Sequence, residues 1–523
     1  MISTDTPTVI LFDEHKKFHS FGYKAEEAYS ELALNNEHHK WYFFKRFKMI
    51  LHENKIKIED VKEKKMLASE VFRGAIEYLK DNVLDCLTEG IVLQNSDIHW
   101  VLTIPAIWTV SAKQVMREAA NKAGIYVTQL SIVLESEAAI SFCQMIPRDK
   151  IKGSDVAKFD IASPGTKFMV ISLEDNTSDT TVYERRDDGG LRELHTANGG
   201  AWGGTKVKEE FFSMIIELVG GPIFTKFINE NWEEYLDMQN QLEIKIHMVT
   251  PKTSGKMSIT IPHALLQTFE SKSGEKVMEA IDGSPYARKI IWKGEKMRID
   301  AQVFKNLFKP CTDKIVKNIK NLLKYPDVQG TNIFYMVGKF SESEMIQDAI
   351  TTALPRKNVI IPDAPRLAVL KGAVIFGHRP IAITSRKSKY TYGINISPPF
   401  DPTIHPEDHR VSVDGNDRCR DVFKKYILEG ETVRVGEAKS GEHVTLNTNQ
   451  CEMLLNVFAC PRQNPLFVDE GDVEYLGNIA VNLPEYADEV RVEVKMILSE
   501  AELIVEAEEM SKRTKYRAYF EDL

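Results

Sequence analysis

The stretch Trp100-Val-Leu-Thr-Ile-Pro105 decides the fold, because it opens a segment in which short apolar runs alternate with helical periodicity. The run is apolar and ends at a proline, which is typical of a strand buried on both faces. Ser111 is followed three residues later by Gln114, and this capping-box spacing predicts the start of a helix. A second apolar run, 131–134, precedes Glu135. The predicted order is therefore strand, helix, strand, helix.

Glu135 is the first candidate functional residue. A carboxylate at the carboxyl end of a buried strand, next to a helix start, lies where open α/β sheets place their ligands. Glu135 and Glu137 are also explained as first-turn residues, which the helix dipole favours. Spacing alone leaves both interpretations open.

Length and composition predict a globular chain with several domains. The 523 residues are 43% hydrophobic and 27% charged, which corresponds to about three or four domain-sized units. A net charge of -9 argues against non-specific binding to nucleic acid. No apolar run approaches the ~18 residues of a membrane span, and the first residues do not resemble a signal peptide. Six cysteines without a CxxC pair favour a reducing compartment, so we predict a cytoplasmic protein.

Several motifs in this segment resemble the heat-shock protein 70 family. Ile104-Pro-Ala-Ile-Trp108 is similar to that family's divergent twelfth group, the 12A/12B-like proteins. The motifs that carry the wider resemblance are Val101-Leu-Thr-Ile-Pro-Ala106, Arg117-Glu-Ala-Ala120 with Ala123-Gly124, and Leu134-Glu135-x-Glu-Ala-Ala139. The resemblance extends over most of the chain.

The resemblance implies an α/β fold in two domains. Residues 1–385 would form an actin-like (ribonuclease H-like), two-lobed nucleotide-binding domain, and residues 386–523 a β-rich, substrate-like domain. Residues 201–300 look like a mainly helical insert with one small strand pair, 257–261 with 296–299. The family's opening Asp-x-Gly-Thr-Thr turn is not seen before Val9. We therefore expect an N-terminally incomplete nucleotide-binding domain, through truncation or through loss of that loop.

The first phosphate turn of the family corresponds to residues 172–179. Thr177 and Asp179 match the family pattern, whereas Ser172 replaces its first aspartate and residues 174–176, Glu-Asp-Asn, replace its glycines. Carboxylates at this point would repel phosphate oxygens, and side chains would hinder their close approach. The segment is also explained as an ordinary hairpin turn.

Further turns complete the nucleotide site that the resemblance implies. Lys339 replaces the second glycine of the adenosine-side turn, where a side chain would press on the ligand. The glycine loop at 199–206 does not have the order of a Walker A motif, and no strand is predicted to end immediately before it. The residues assigned to cofactor binding are Thr177, Gly203, Gly204, Thr205, Gly338 and Asp363.

Lys45, Glu135 and Asp179 are the catalytic candidates that the resemblance implies. Together they would neutralise charge, place the attacking water and support Mg²⁺, with Asp179 holding the metal through water. Taken alone, Lys45 is also explained as a surface lysine. The expected cofactor is ATP or ADP with Mg²⁺. The expected activity, if any, is ATP hydrolysis that is weak or absent, because the phosphate turns are degenerate.

Two functional hypotheses follow. The first is a chaperone-like or regulatory stress-response protein that binds adenine nucleotide weakly and switches lobe closure. The second is a non-catalytic scaffold or interaction protein, a pseudo-ATPase. A sugar-kinase relative with the same fold is a third class, disfavoured because the Pro105 and Glu135 segments resemble the chaperone branch. Expected partners are protein clients or signalling proteins, with no nucleic acid and no membrane span.

Overall fold

The protein is described here from a computed structural model. The structure describes residues 5–53, 57–88, 97–146, 151–153, 163–380, 383–445, 450–484, 490–498 and 502–521. Within these ranges the chain is a mixed α/β protein with several sheets, as the sequence predicts.

The first part of the chain forms three small sheets and four helices. The strands pair as β2-β1-β3, as β4-β5 and, in parallel, as β6-β7. The elements are β1 Val9–Phe12, β2 Phe18–Phe21, α1 Tyr23–Leu34, β3 Tyr42–Lys45, β4 Lys57–Glu59, β5 Lys65–Leu67, α2 Ala68–Thr88, β6 Trp100–Ile104, α3 Val110–Lys122, β7 Leu130–Leu134 and α4 Glu135–Cys143.

The middle of the chain supplies the largest sheet and a mainly helical insert. The elements are β8 Ile151–Gly153, β9 Lys167–Leu173, β10 Ser178–Arg185, β11 Leu191–Gly200, α5 Thr205–Val219, α6 Gly221–Glu230, α7 Trp232–Met248, β12 Lys256–Thr260, α8 His263–Ser273, α9 Val277–Asp282, β13 Ile290–Lys293, β14 Lys296–Asp300, α10 Ala301–Asn306, α11 Lys309–Leu322, β15 Ile333–Val337, α12 Glu344–Ala353, β16 Asn358–Pro362 and α13 Ala368–His378.

The last part of the chain is rich in strands. The elements are β17 Ile383–Lys387, β18 Thr391–Ile396, β19 Arg410–Val413, β20 Asn416–Cys419, β21 Val422–Ile427, β22 Thr432–Arg434, β23 Ala438–Val444, β24 Glu452–Cys460, β25 Glu474–Asn482, β26 Arg491–Leu498, β27 Glu502–Glu509 and β28 Thr514–Glu521. Two four-stranded sheets, β21-β18-β24-β25 and β23-β26-β27-β28, share one apolar cluster.

The eight-stranded sheet has the order β22-β17-β11-β10-β9-β15-β16-β8 and is covered on both faces. Successive residues of β9 enter different clusters, because side chains alternate across a strand. Phe168 and Val170 pack with α4, whereas Met169 and Ile171 pack with the insert helices. Strands β17 and β22 join the edge of this sheet. The domain boundary predicted after residue 385 falls inside β17, and β22 lies beyond it. That boundary stays a prediction.

The segment 100–143 folds as predicted, with one correction at its first helix. Strands β6 and β7 pair in parallel, and α4 begins at Glu135. The cap of α3 is Thr109, not Ser111, because the Thr109 hydroxyl accepts the backbone N–H of Ala112 at 3.4 Å. The helix therefore starts two residues before the position that the capping-box spacing indicated.

Two further expectations need correction. The insert contains a third strand, β13, which pairs with β14 on the side away from β12. A strand does lead directly into the glycine loop, because β11 extends through the loop's first two residues to Gly200. Its pairing with β10 extends to that end, so tertiary context carries the strand through two glycines that disfavour it locally.

Within the described residues no single helix is long and apolar enough to cross a membrane. Helices α5 and α6 pass that length and composition test only as a pair, and they are bent by 111° where they meet. All six cysteines are free thiols.

The packing of α13 on α4 gives a test of the fold. A Cβ on Gly372 would lie 1.7 Å from the Ala138 carbonyl oxygen. Alanine is normally about 1 kcal/mol better than glycine inside a helix, but here we expect Gly372→Ala to cost about 3 kcal/mol through overpacking. Urea unfolding measures the difference.

The matched control for this change is Gly221→Ala, at the first position of α6, where a Cβ meets no atom within 4 Å. We expect this control to be neutral or slightly stabilising. Equal unfolding midpoints for the two variants would contradict the close approach of α13 and α4.

Candidate functional site

A cleft of about 490 Å³ lies between the first strands of the chain and the helical insert. Charged side chains of both signs line it. The lining includes the charged residues Lys45, Asp175, Lys208, Glu243 and Lys339, together with Thr205. Two of the residues predicted from the sequence, Lys45 and Thr205, therefore face the same cavity.

The glycine loop before α5 packs directly against the turn between β9 and β10. Gly204 donates its backbone N–H to the Glu174 carbonyl at 3.3 Å, and Thr205 donates its own to the Asp175 carbonyl at 2.7 Å. A Cβ on Gly203 would lie 2.3 Å from the Glu174 carbonyl oxygen. The glycine is therefore required by contact with the chain itself.

The turn after β15 approaches the same hairpin. Gly338 has a φ of +89°, and a Cβ there would lie 2.4 Å from the Leu173 carbonyl oxygen. The next residue, Lys339, donates its backbone N–H to the Glu174 carboxylate at 3.3 Å. One carboxylate of the turn thus binds an N–H that an anionic ligand would otherwise use.

Lys339 bridges two walls of the cleft. Its Nζ lies 3.0 Å from an Asp175 carboxylate oxygen and 2.7 Å from one of Glu243. Burial works against its charge, but these carboxylates outweigh burial and raise the pKa of Lys339. Burial also disfavours the charged form of Glu243, which by itself would raise the pKa of this carboxyl. Lys208 and Lys339 outweigh burial and lower the pKa of Glu243 to about 2. The cleft is crossed by a fully charged network.

Lys45 lies at the other wall, at the end of β3. Its Nζ donates to Gln239 at 3.2 Å, lies 3.7 Å from Glu26 and stands 5.4 Å from the Trp232 ring centre. Burial lowers the pKa of Lys45 to about 8, although Glu26 opposes this. The side chain is 15% exposed, so it is not an ordinary surface lysine.

A separate carboxyl centre is buried beneath the cleft. Glu135 is 3% exposed and Asp179 is fully buried. The cation that reaches this centre is Lys48, whose Nζ donates to Glu135 at 2.5 Å. Burial disfavours the charge on Lys48, but Glu135 outweighs it and raises the pKa of Lys48. The lysine predicted from the family pattern was Lys45, whereas the structure places Lys48 against Glu135.

Lys48 interacts electrostatically with all three carboxyls of this centre, Glu135, Glu174 and Asp179, and Lys389 also acts on Asp179. Burial, with the nearby Glu135 carboxylate, raises the pKa of Asp179 to about 8. The Ala106 backbone lowers that pKa in part, but without a hydrogen bond of normal geometry, so both Asp179 oxygens stay unpaired among the described residues. Burial and Glu135 also raise the pKa of Glu174 to about 8. Both groups are therefore mainly protonated at neutral pH.

The remaining predicted residues divide between the site and the surface. Thr177 is buried in the hairpin, where its carbonyl accepts the Glu174 backbone N–H at 2.8 Å. Asp363 is exposed beyond the end of β16 and does not line the cleft. In the described part of the chain no group of three or more Asp, Glu, His or Cys side chains is arranged to hold a metal ion. The metal role predicted for Asp179 stays a prediction.

Sequence reasoning missed Lys48 and the acceptors of Lys339. Lys48 lies three residues beyond Lys45, in the short 3-10 helix Phe47–Glu53, and the two lysines point to different neighbours. The run of basic residues after β3 was the available signal. This run does not indicate which lysine faces Glu135, because that depends on how the backbone turns from β3 into the 3-10 helix.

The class of protein follows from this arrangement. A sheet covered by helices on both faces, with glycine turns meeting at a cleft, is consistent with an actin-like two-lobed fold. No model of a known protein family matches the chain. It is 30% identical to heat shock 70 kDa protein 12A of Homo sapiens over 532 residues, which cover 91% of this chain and 78% of that relative.

Two other relatives agree. Heat shock 70 kDa protein 12A of Mus musculus is 29% identical, and heat shock 70 kDa protein 12B of Homo sapiens is 28% identical, each with the same coverage of both chains. The chain belongs to the heat-shock protein 70 family. This confirms the resemblance to the 12A/12B-like group that the sequence motifs indicated.

The raised pKa of Asp179 gives a test by pH. Its unfolded value is about 3.9 and its folded value about 8. Its contribution to stability is therefore complete below pH ~4 and is lost as the pH rises through 8. We expect Asp179→Asn to match the wild type at pH ~4 and to exceed it at pH 8, by about 1 kcal/mol per pH unit of the interval.

Urea unfolding at several pH values measures this gain. Asp187→Asn, in the exposed turn after β10, is the matched control and should follow the wild-type profile. Parallel profiles for the wild type and Asp179→Asn would show that Asp179 is not protonated in the folded protein.

Proposed function

We propose that this member of the heat-shock protein 70 family is a non-catalytic, chaperone-like or regulatory binding protein with a degenerate adenine-nucleotide cleft. ATP hydrolysis is weak or absent in this proposal. The observation that carries it is the turn 174–176, whose carboxylates and carbonyls engage the groups that a phosphate chain would need.

Three backbone N–H groups support this proposal. Those of Gly204 and Thr205 already donate to the backbone carbonyls of Glu174 and Asp175, and that of Lys339 donates to the Glu174 carboxyl group. Phosphate binding relies on such donors and on close approach to glycine backbone. A nucleotide would have to displace the turn before it gained these contacts, and that displacement lowers its affinity.

Charge in the cleft supports the same conclusion. The ammonium of Lys339 is held by Asp175 and Glu243, so it adds little attraction for a further anion. Asp175 stays close to the path of any triphosphate and repels it at neutral pH. Glu174 is mainly neutral at that pH. Its side chain fills space in the turn and accepts the backbone N–H of Lys339.

A nucleotide-dependent switch is the second candidate. Glu135, Lys48 and Asp179 form a buried centre of the composition that phosphoryl transfer uses. Lys45 faces the cleft with a pKa of about 8. In this alternative Mg²⁺ and ATP or ADP bind weakly and change the closure of the cleft.

The proposal extends to organisation and partners. A two-lobed nucleotide-type domain over residues 1–385 is followed by a β-rich domain over 386–523 that contacts protein clients or signalling proteins. The two apolar-cored sheets of the last part support this division. A cytoplasmic location accords with six free thiols. Native mass spectrometry of the full chain with client proteins tests the partner assignment.

Isothermal titration with Mg-ATP separates the two candidates. We expect no saturable heat from the wild type up to about 1 mM ligand. Replacing the turn carboxylates in Glu174→Gly/Asp175→Gly removes one charge and two side chains, so we expect the affinity to rise at least about tenfold. A micromolar dissociation constant for the wild type would overturn the non-catalytic proposal and favour the switch.

The charge-matched control is Asp187→Gly in the turn between β10 and β11, at the far end of strand β10, which also removes one charge. It should leave Mg-ATP binding as in the wild type. An equal gain in the double variant and in this control would assign the effect to net charge and not to the turn at 174–176.

A further inference from the structure

A second cavity, of about 340 Å³, lies at the edge of the eight-stranded sheet, away from the cleft. Three segments that are distant in the chain build it: the turn after β10, strand β17 and strand β22. Its lining consists of Arg186, Asp188, Arg192, Thr384, Ser385, Thr432 and Arg434. The lining therefore contains three arginines and three hydroxyl groups but a single carboxylate.

Strand pairing fixes the arginines around the cavity. Arg192 of β11 is in register with Ser385 of β17, and Ser385 is in register with Arg434 of β22. Arg186 follows β10 and closes the cavity from the hairpin turn, which Arg185 holds by donating to the Gly189 carbonyl at 2.6 Å. The relative positions of Arg192 and Arg434 are therefore fixed by strand pairing within the sheet.

Two of the arginines have no partner within the described part of the chain. The guanidinium groups of Arg186 and Arg434 make neither an ion pair nor a hydrogen bond there. Arg192 pairs with Glu184 at 2.5 Å, yet its Nε is buried without an acceptor among the same residues. The carboxylate of Asp188 accepts the Gly190 backbone N–H at 2.9 Å and so has a role in its own turn.

We propose that this cavity is a binding site for a phosphoryl group with two negative charges, as in inorganic phosphate or a phosphate monoester. Guanidinium forks match the geometry of phosphate oxygens, and hydroxyl groups supply further donors. Like charges on three arginines repel one another, and an oxyanion between them removes that repulsion. The volume lies at the lower end of small-molecule sites, about 300–1,000 Å³.

The site is separate from the nucleotide-type cleft and does not depend on the function proposed above. Asp179 and Arg185 stand at opposite ends of β10, about 20 Å apart along an extended strand. An anion here would hold β17 and β22 against the β10–β11 turn. It would thus join segments from both sides of residue 385.

Isothermal titration of the full chain at low chloride, with inorganic phosphate and with O-phosphoserine, tests this proposal. We expect saturable binding with a dissociation constant of about 1 mM or lower, and a raised thermal midpoint. Arg186→Gln and Arg434→Gln should each weaken binding about tenfold, because each removes a charge-assisted donor. Binding of O-phosphoserine should fall below pH ~6, where the monoester gains a proton.

Arg298→Gln, at an exposed position of β14, removes the same charge outside the cavity and should bind phosphate as the wild type does. Binding of inorganic phosphate alone would identify the free ion as the ligand, and binding of both would identify a phosphate monoester. No heat from the wild type up to about 10 mM of either probe, equal binding of acetate, or unchanged binding in both cavity variants would overturn the site. Circular dichroism confirms that each variant is folded.

Discussion

The ion pair between Lys48 and Glu135 is the contact on which the arrangement of the site depends. It joins the short helix after β3 to the start of α4, which follows β7, and strands β3 and β7 belong to different sheets. A buried carboxylate without such a partner is strongly disfavoured. The lysines near this centre do not neutralise all of its acids, and burial is tolerated because Asp179 and Glu174 keep their protons up to about pH 8.

The glycine turns illustrate how one local geometry serves two purposes. Gly203 and Gly338 have no room for a side chain, which is the usual mark of a phosphate site. In this chain the group that approaches them is the turn between β9 and β10. The carbonyl groups of Leu173 and Glu174 occupy the space where a Cβ would lie. The backbone at these two glycines is therefore approached closely by the chain itself.

The β10–β11 hairpin connects the buried carboxyl centre to the arginine cavity. Its end near Asp179 lies among buried carboxyls, whereas its turn carries Arg186 and leads to Arg192. Strands β17 and β22 complete the basic end, and they come from the part of the chain beyond residue 383. The sheet therefore ties the last part of the chain to the hairpin whose other end meets the cleft.

The sequence by itself determined the strand–helix–strand–helix order at 100–143, the family, the mixed α/β class and the positions of the glycine turns. Those features depend on local periodicity, on turn chemistry and on short motifs, all of which are visible along the chain. Only the tertiary structure decided that Lys48 and not Lys45 faces Glu135, that Lys339 is held by Glu243, and that three distant segments enclose an arginine cavity. The physical reason is that side chains from separate elements meet through packing and strand register, and neither is encoded within any one segment.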